Sequence, residues 1–160
     1  MATGLEPRGF VWVIKGRLAI SERIGGHGVQ HRRVRRTEEI TWIKDVGINA
    51  VLSLLGGGQN LASYDEAGLE AAQVTLLGDF DRDDVTRVWV AIDGMLADPD
   101  TTLLVHRDII DDSLAGVIGG YLVHSGLIDD PIVATSITQQ IIGRPIGPEG
   151  RRLIPSAAAS

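Results

Sequence analysis

The sequence predicts a single α/β domain with a central, mostly parallel sheet flanked by helices. Three observations carry that expectation. The stretches 48–55 (INAVLSLL) and 101–105 (TTLLV) are short, nearly continuous apolar runs, the pattern of strands covered on both faces. Between them, Val85, Val88, Trp89, Ile92 and Met95 recur at helical spacing. The chain has 160 residues, 44% hydrophobic and 22% charged, enough for one domain that buries its own core without staples. Disordered, collagen-like and disulfide-scaffold classes are excluded.

Residues 1–9 read as an N-terminal extension. The run 10–20 (FVWVIKGRLAI) is β-branched and aromatic, and reads as one or two strands broken near Lys15 and Gly16. Gly25-Gly26-His27-Gly28 marks a loop. Thr37, Glu38, Glu39 and Ile40 read as an N-cap, an acidic first turn and the start of a helical stripe through Trp42, Ile43 and Val46, with Gly47 as its stop. After the strand in 48–55 come Gly56-Gly57-Gly58, a weak helix over 61–72 and a strand over 73–77 (QVTLL). The helix over 83–97 stops at Asp98-Pro99-Asp100, and the strand of 101–105 leads into a loop and a Gly- and Ala-rich helix over 113–124. A final helix covers 131–141, the domain closes near 154, and 155–160 read as a flexible tail.

The net charge of −6 is uneven. Residues 1–36 hold eight Lys and Arg against two Glu, a net +6, and the other 124 hold seven against nineteen acids, a net −12. That asymmetry predicts polar self-complementarity or an anionic partner for one face. Cysteine is absent, which excludes disulfides, thiolate metal sites and a cysteine nucleophile. No window approaches 18 uninterrupted apolar residues, so a cytoplasmic location and no membrane association are expected.

In parallel sheets of this class, sites form beyond the carboxyl ends of the strands, which singles out 78–84 and 106–113. The second stretch reads Leu103-Leu104-Val105-His106-Arg107-Asp108-Ile109-Ile110-Asp111-Asp112-Ser113, followed by Ala115-Gly116 and Tyr121-Leu122-Val123. Before it come Val13-Ile14-Lys15-Gly16-Arg17-Leu18, the segment 42–55 and Gly78-Asp79-Phe80, and after it Arg144-Pro145-Ile146-Gly147-Pro148-Glu149. In this order the pieces resemble the dual-specificity protein tyrosine phosphatase family over residues 10–154. That family carries a strand, then His-Cys, five residues, Arg, and a helix of small residues.

The resemblance implies a protein tyrosine phosphatase-like fold with its chemistry removed. It sets Arg107 at the position of the nucleophilic cysteine, Ser113 at that of the phosphate-gripping arginine, Ile110 at that of the loop glycine and Asp79 at that of the general acid. An arginine is always protonated and cannot attack phosphorus. Asp108, Asp111 and Asp112 add three carboxylates against Arg107. At an effective dielectric near 20 and roughly 6 Å, each repels a phosphate dianion by about 5 kcal/mol. Asp111, Asp112 and Ser113 also read as caps of the following helix, Arg107 as a counterion for Asp108, Asp111, Asp112 or Asp79, and His106 as an anchor of the loop through backbone contacts.

The expectation is a pseudophosphatase: a degenerate phosphate loop formed by His106, Arg107, Asp108, Ile109, Ile110, Asp111, Asp112 and Ser113. Such a protein acts as a binding or regulatory module for a protein partner or a second copy of itself, with no cofactor. A hydrolase using a non-cysteine or metal-assisted site in the same cleft, formed by Asp79, His106, Asp108, Asp111 and Asp112, is the rival, but Arg107 lies among those ligands and no metal is expected. Nucleic-acid binding through residues 31–36 is a second rival. That cluster lacks interleaved aromatics and belongs to a net acidic chain, so nucleic acid is not an expected partner. Arg23, His27, Arg32 and Arg33 beside the glycine loop form a candidate anion-binding cluster.

Overall fold

The apolar runs assemble into one five-stranded sheet with strand order β1-β2-β5-β3-β4. A computed structural model of the chain describes residues 3–26, 33–58, 60–76, 78 and 81–158. These form two compact units, Met1–Leu77 with Gly94–Ile109, and Gly78–Asp93 with Ile110–Ser160.

The first unit holds the sheet. β1 (Val11–Ile14) and β2 (Leu18–Ser21) form an antiparallel hairpin with a break in register between Trp12 and Ile14, and β2, β5 (Leu103–His106), β3 (Ala50–Ser53) and β4 (Glu70–Gln73) run parallel. β2, β5 and β3 are buried along their whole length, as their continuous apolar character requires. Ala19, Leu104 and Val51 from these strands join Ile40 and Ile43 of helix α1 (Arg33–Asp45) and Tyr64 of helix α2 (Leu61–Glu66) in one core.

Three expectations for this unit are corrected. The described helix α1 begins at Arg33, so Thr37 is not its cap; its hydroxyl instead donates to the Arg33 carbonyl one turn back. The helix expected over 61–72 ends at Glu66, because Gly68 takes φ +80° and turns the chain into β4. The strand therefore starts at Glu70 rather than Gln73. Its Ala-rich sequence carries no β-branched signal, and an edge position half open to solvent asks for none. Val74 and Leu76 still donate to Ser53 and Leu54, so the predicted segment runs on beside β3.

The second unit is helical: α3 (Arg82–Leu96) through Asp93, α4 (Asp112–His124), α5 (Pro131–Ile142), α6 (Pro148–Arg151) and α7 (Leu153–Ala158). α4 is buried from Leu114 to Leu122, as an almost uniformly apolar helix must be. Trp89 of α3 is fully buried, donates its indole N–H to the Val117 carbonyl at 2.9 Å and stacks on His124. Asp130 caps α5 by accepting from the Ile132 amide at 2.8 Å, with Pro131 in the first turn. The stretch expected as a tail from 155 is helical through Ala158, and Ala157 is buried. Among the described residues no helix is long and apolar enough to cross a membrane.

Candidate functional site

β2, β5 and β3 end in register on three polar residues, Ser21, His106 and Ser53, all buried. Apolar strands that turn polar together at their carboxyl edge mark where this sheet presents its chemistry. His106 is fully buried, and its Nε2 lies 3.0 Å from the Tyr64 hydroxyl. Asn60 Nδ2 approaches that hydroxyl oxygen at 3.4 Å and donates to the Ile24 carbonyl at 2.8 Å, so the tyrosine proton is left for His106. Burial pushes the Tyr64 phenol well above its usual range, and it stays protonated. The anchoring of His106 thus runs through its side chain to α2 and not only through the backbone.

Burial, reinforced by the Arg23 guanidinium, lowers the His106 pKa to about 4, against a small opposing pull from the Arg107 backbone. The imidazole is neutral in the folded protein and titrates near 6.5 once unfolded. The unfolded chain therefore binds the extra proton between these values. This contribution is full above pH 6.5 and is lost as pH falls toward 4, by about 3 kcal/mol in total. Urea denaturation from pH 7 to pH 4.5 is expected to show that decline in the wild type and a flatter profile in His106→Gln; parallel profiles would contradict it.

The next residue, Arg107, is half-buried and its Nε donates to the Leu76 carbonyl at 3.1 Å. Asp108 is paired with Arg23 at 3.6 Å, and the Arg23 amide also donates to the Asp108 carbonyl. Arg23 is itself mostly buried, and its Nε has no hydrogen-bond partner. Of the four carboxylates expected as partners of Arg107, Asp108 is paired with Arg23, brought in by the turn after β2. Ile109 is exposed.

In the second unit, Asp111 is the N-cap of α4 and accepts from the Leu114 amide at 2.8 Å. That capping role was expected. Asp112 meets Arg144, which also donates to the Ile110 carbonyl at 2.6 Å. The Arg144 hydrogen bond, and next the Gly147 backbone, hold the Asp112 carboxyl below its usual range. Ser113 stands in the first turn of α4. Asp108 and Asp112 each meet a cation other than Arg107, Arg23 within the first unit and Arg144 within the second. No group of three or more His, Asp or Glu that could hold a metal occurs among the described residues.

Of the candidate anion cluster, Arg23 is committed to Asp108, Arg33 opens α1, and His27 and Arg32 lie outside the described residues, as does Asp79. The described amides of the glycine loop are also occupied from within. Gly26 donates to the Arg23 carbonyl, and Gly25 donates at 2.7 Å to the carboxylate of Glu39, which is 1% exposed and also receives Arg35. The anion on the Gly25 amide is the chain's own.

Compared with solved structures, the fold matches kinase associated phosphatase with its catalytic-site cysteine replaced by serine (TM-score 0.75, 14% identity, 96% of this chain and 97% of that one). It matches the core catalytic domain of the PP-IP phosphatase Siw14 from S. cerevisiae (TM-score 0.69, 13% identity, 96% and 87%). Human DUSP28 also matches (TM-score 0.65, 11% identity, 97% and 96%). The chain has the protein tyrosine phosphatase fold. No protein-family model and no curated protein matches its sequence.

Around the 106–113 stretch, sequence reasoning missed Tyr64 and Asn60, and it named Arg23 only as a candidate anion-binding residue and Arg144 only as part of a motif, without their carboxylate partners. Arg144 lies in a motif singled out in the sequence, yet its partners are 32 and 34 residues away and leave no local trace. Tyr64 sits in the weakly patterned α2 and Asn60 at its N-cap, and neither gave a signal.

Proposed function

We propose that the chain is a catalytically inactive phosphatase-fold protein that works as a cytoplasmic binding or regulatory module. One observation carries the reading: the residue after the buried histidine at the end of β5 is Arg107, and the chain has no cysteine anywhere. In this fold the chemistry needs a thiolate at that point, since it attacks phosphorus and holds the phosphoryl group covalently. A guanidinium has no lone pair available for that step. The half-buried Arg107, its Nε spent on Leu76, supports a structural use of the position. A loop that keeps its frame while losing its nucleophile retains shape for a protein partner or a second copy of the chain.

Turnover tests the proposal. Loss of the nucleophile commonly costs 10⁴–10⁶ in rate, so pure protein is expected to release no p-nitrophenol from p-nitrophenyl phosphate above a buffer blank. Turnover abolished by Arg107→Ala or Asp79→Ala would falsify the inactive reading.

A further inference from the structure

Away from the 106–113 loop, α1 and α2 of the first unit border a cavity of about 350 Å³, lined among others by Arg33, Arg36, Thr37, Lys44, Ser63 and Glu66. Arg33, Arg36, Thr37 and Lys44 fall on one face of α1 by their spacing. The lining carries three cations against one carboxylate, within a chain of net charge −6. No carboxylate pairs with any of the three among the described residues: Lys44 donates to the Ala67 carbonyl at 2.5 Å, and Arg36 touches only the Asn60 amide oxygen, at 3.5 Å.

The first turn of α1 compounds this imbalance. It contains no acidic residue, and its arginines face the positive end of the helix dipole. Arg35 is neutralised by Glu39, but Arg33 and Arg36 have no such partner among the described residues. Local rules broken without compensation inside a concavity mark a place that awaits a ligand. Arginine forks match phosphate oxygens two at a time, and the hydroxyls of Thr37 and Ser63 add neutral hydrogen-bonding groups. The volume falls at the small end of the range for small-molecule sites.

From these features we infer that the α1–α2 cavity binds a small phosphorylated molecule, its phosphate held by Arg33 and Arg36 and its hydroxyl-bearing frame lying toward Lys44 and Glu66. This site is separate from the loop at 106–113 and does not depend on whether that loop is inactive. It also differs from the anion cluster expected at the glycine loop, with which it shares only Arg33.

Glucose 6-phosphate and inorganic phosphate are the probes, titrated at 50 mM salt against the full chain with amide shifts recorded by NMR. Saturable shifts confined to residues 33–44 and 60–67 are expected, weakened at least tenfold in Arg33→Ala/Arg36→Ala and retained in Arg107→Ala. Arg33 is exposed, so an unchanged melting temperature of the variant separates lost binding from lost fold. No saturable shift, shifts that survive the double substitution, or shifts lost in Arg107→Ala would each overturn the inference. So would tighter binding of a poly-glutamate peptide than of glucose 6-phosphate, which would make the groove a protein-docking surface.

Discussion

Gly116→Val is expected to destabilise the protein by about 4 kcal/mol or more, a large part of the about 5–15 kcal/mol that ordinarily holds a domain folded, with soluble yield and urea midpoint as the measurements. A Cβ at Gly116 of α4 would lie 2.2 Å from the Gly150 carbonyl oxygen and 2.7 Å from its Cα, both backbone atoms of α6 that no rotamer change can clear. Gly150 meets α4 as tightly in the other direction, its Cβ position lying 2.1 Å from the Asp112 carbonyl oxygen. Even Gly116→Ala must push the two helices apart. Gly94 in α3 is the control: nothing lies within 4 Å of its Cβ position, and Gly94→Ala is expected to stabilise by about 0.5–1 kcal/mol through backbone entropy. A Gly116→Ala variant that melts with the wild type would show that the helices are not packed backbone to backbone.

Removing the buried Glu39 carboxylate should have a comparable effect in the other unit. Glu39→Ala leaves Arg35, 13% exposed at its side chain, without its partner and the Gly25 amide without its acceptor. Breaking a buried pair from one side costs about 3–5 kcal/mol, because the charge left behind stays desolvated. Glu39→Gln keeps an acceptor for Gly25 and should lose less, and Arg35→Ala added to Glu39→Ala should recover part of the loss. A change under about 1 kcal/mol in chemical denaturation would mean that the pair is solvated in solution and that the turn after β2 is held by other contacts.

Both positions illustrate what a sequence conceals. Glu39 looks like an acidic residue of a helix's first turn, where it would serve the dipole. In the structure it lies in the second turn of a helix that starts at Arg33, and its carboxylate closes a loop fourteen residues upstream. Gly116 looks like one more small residue in a Gly- and Ala-rich helix. Only the arrival of α6 against that helix makes it indispensable.

Elements with strong periodicity and full burial were legible from the residues alone. The three central strands and helices α3, α4 and α5 could be located because burial on both faces of a strand, or along one face of a helix, leaves a repeating apolar pattern. The edge strand β4 and the ends of α1 and α2 could not, because a half-exposed strand needs no apolar run and a helix boundary is set by what caps it.

The absence of cysteine and the placing of Arg107 after His106 belong to the sequence by itself, since no folding can supply a nucleophile that the chain lacks. Tertiary structure alone decided which cations meet the loop carboxylates and what holds His106 neutral. Charges find partners by distance in space, and Arg23, Tyr64 and Arg144 reach their partners across 85, 42 and 32 residues of chain.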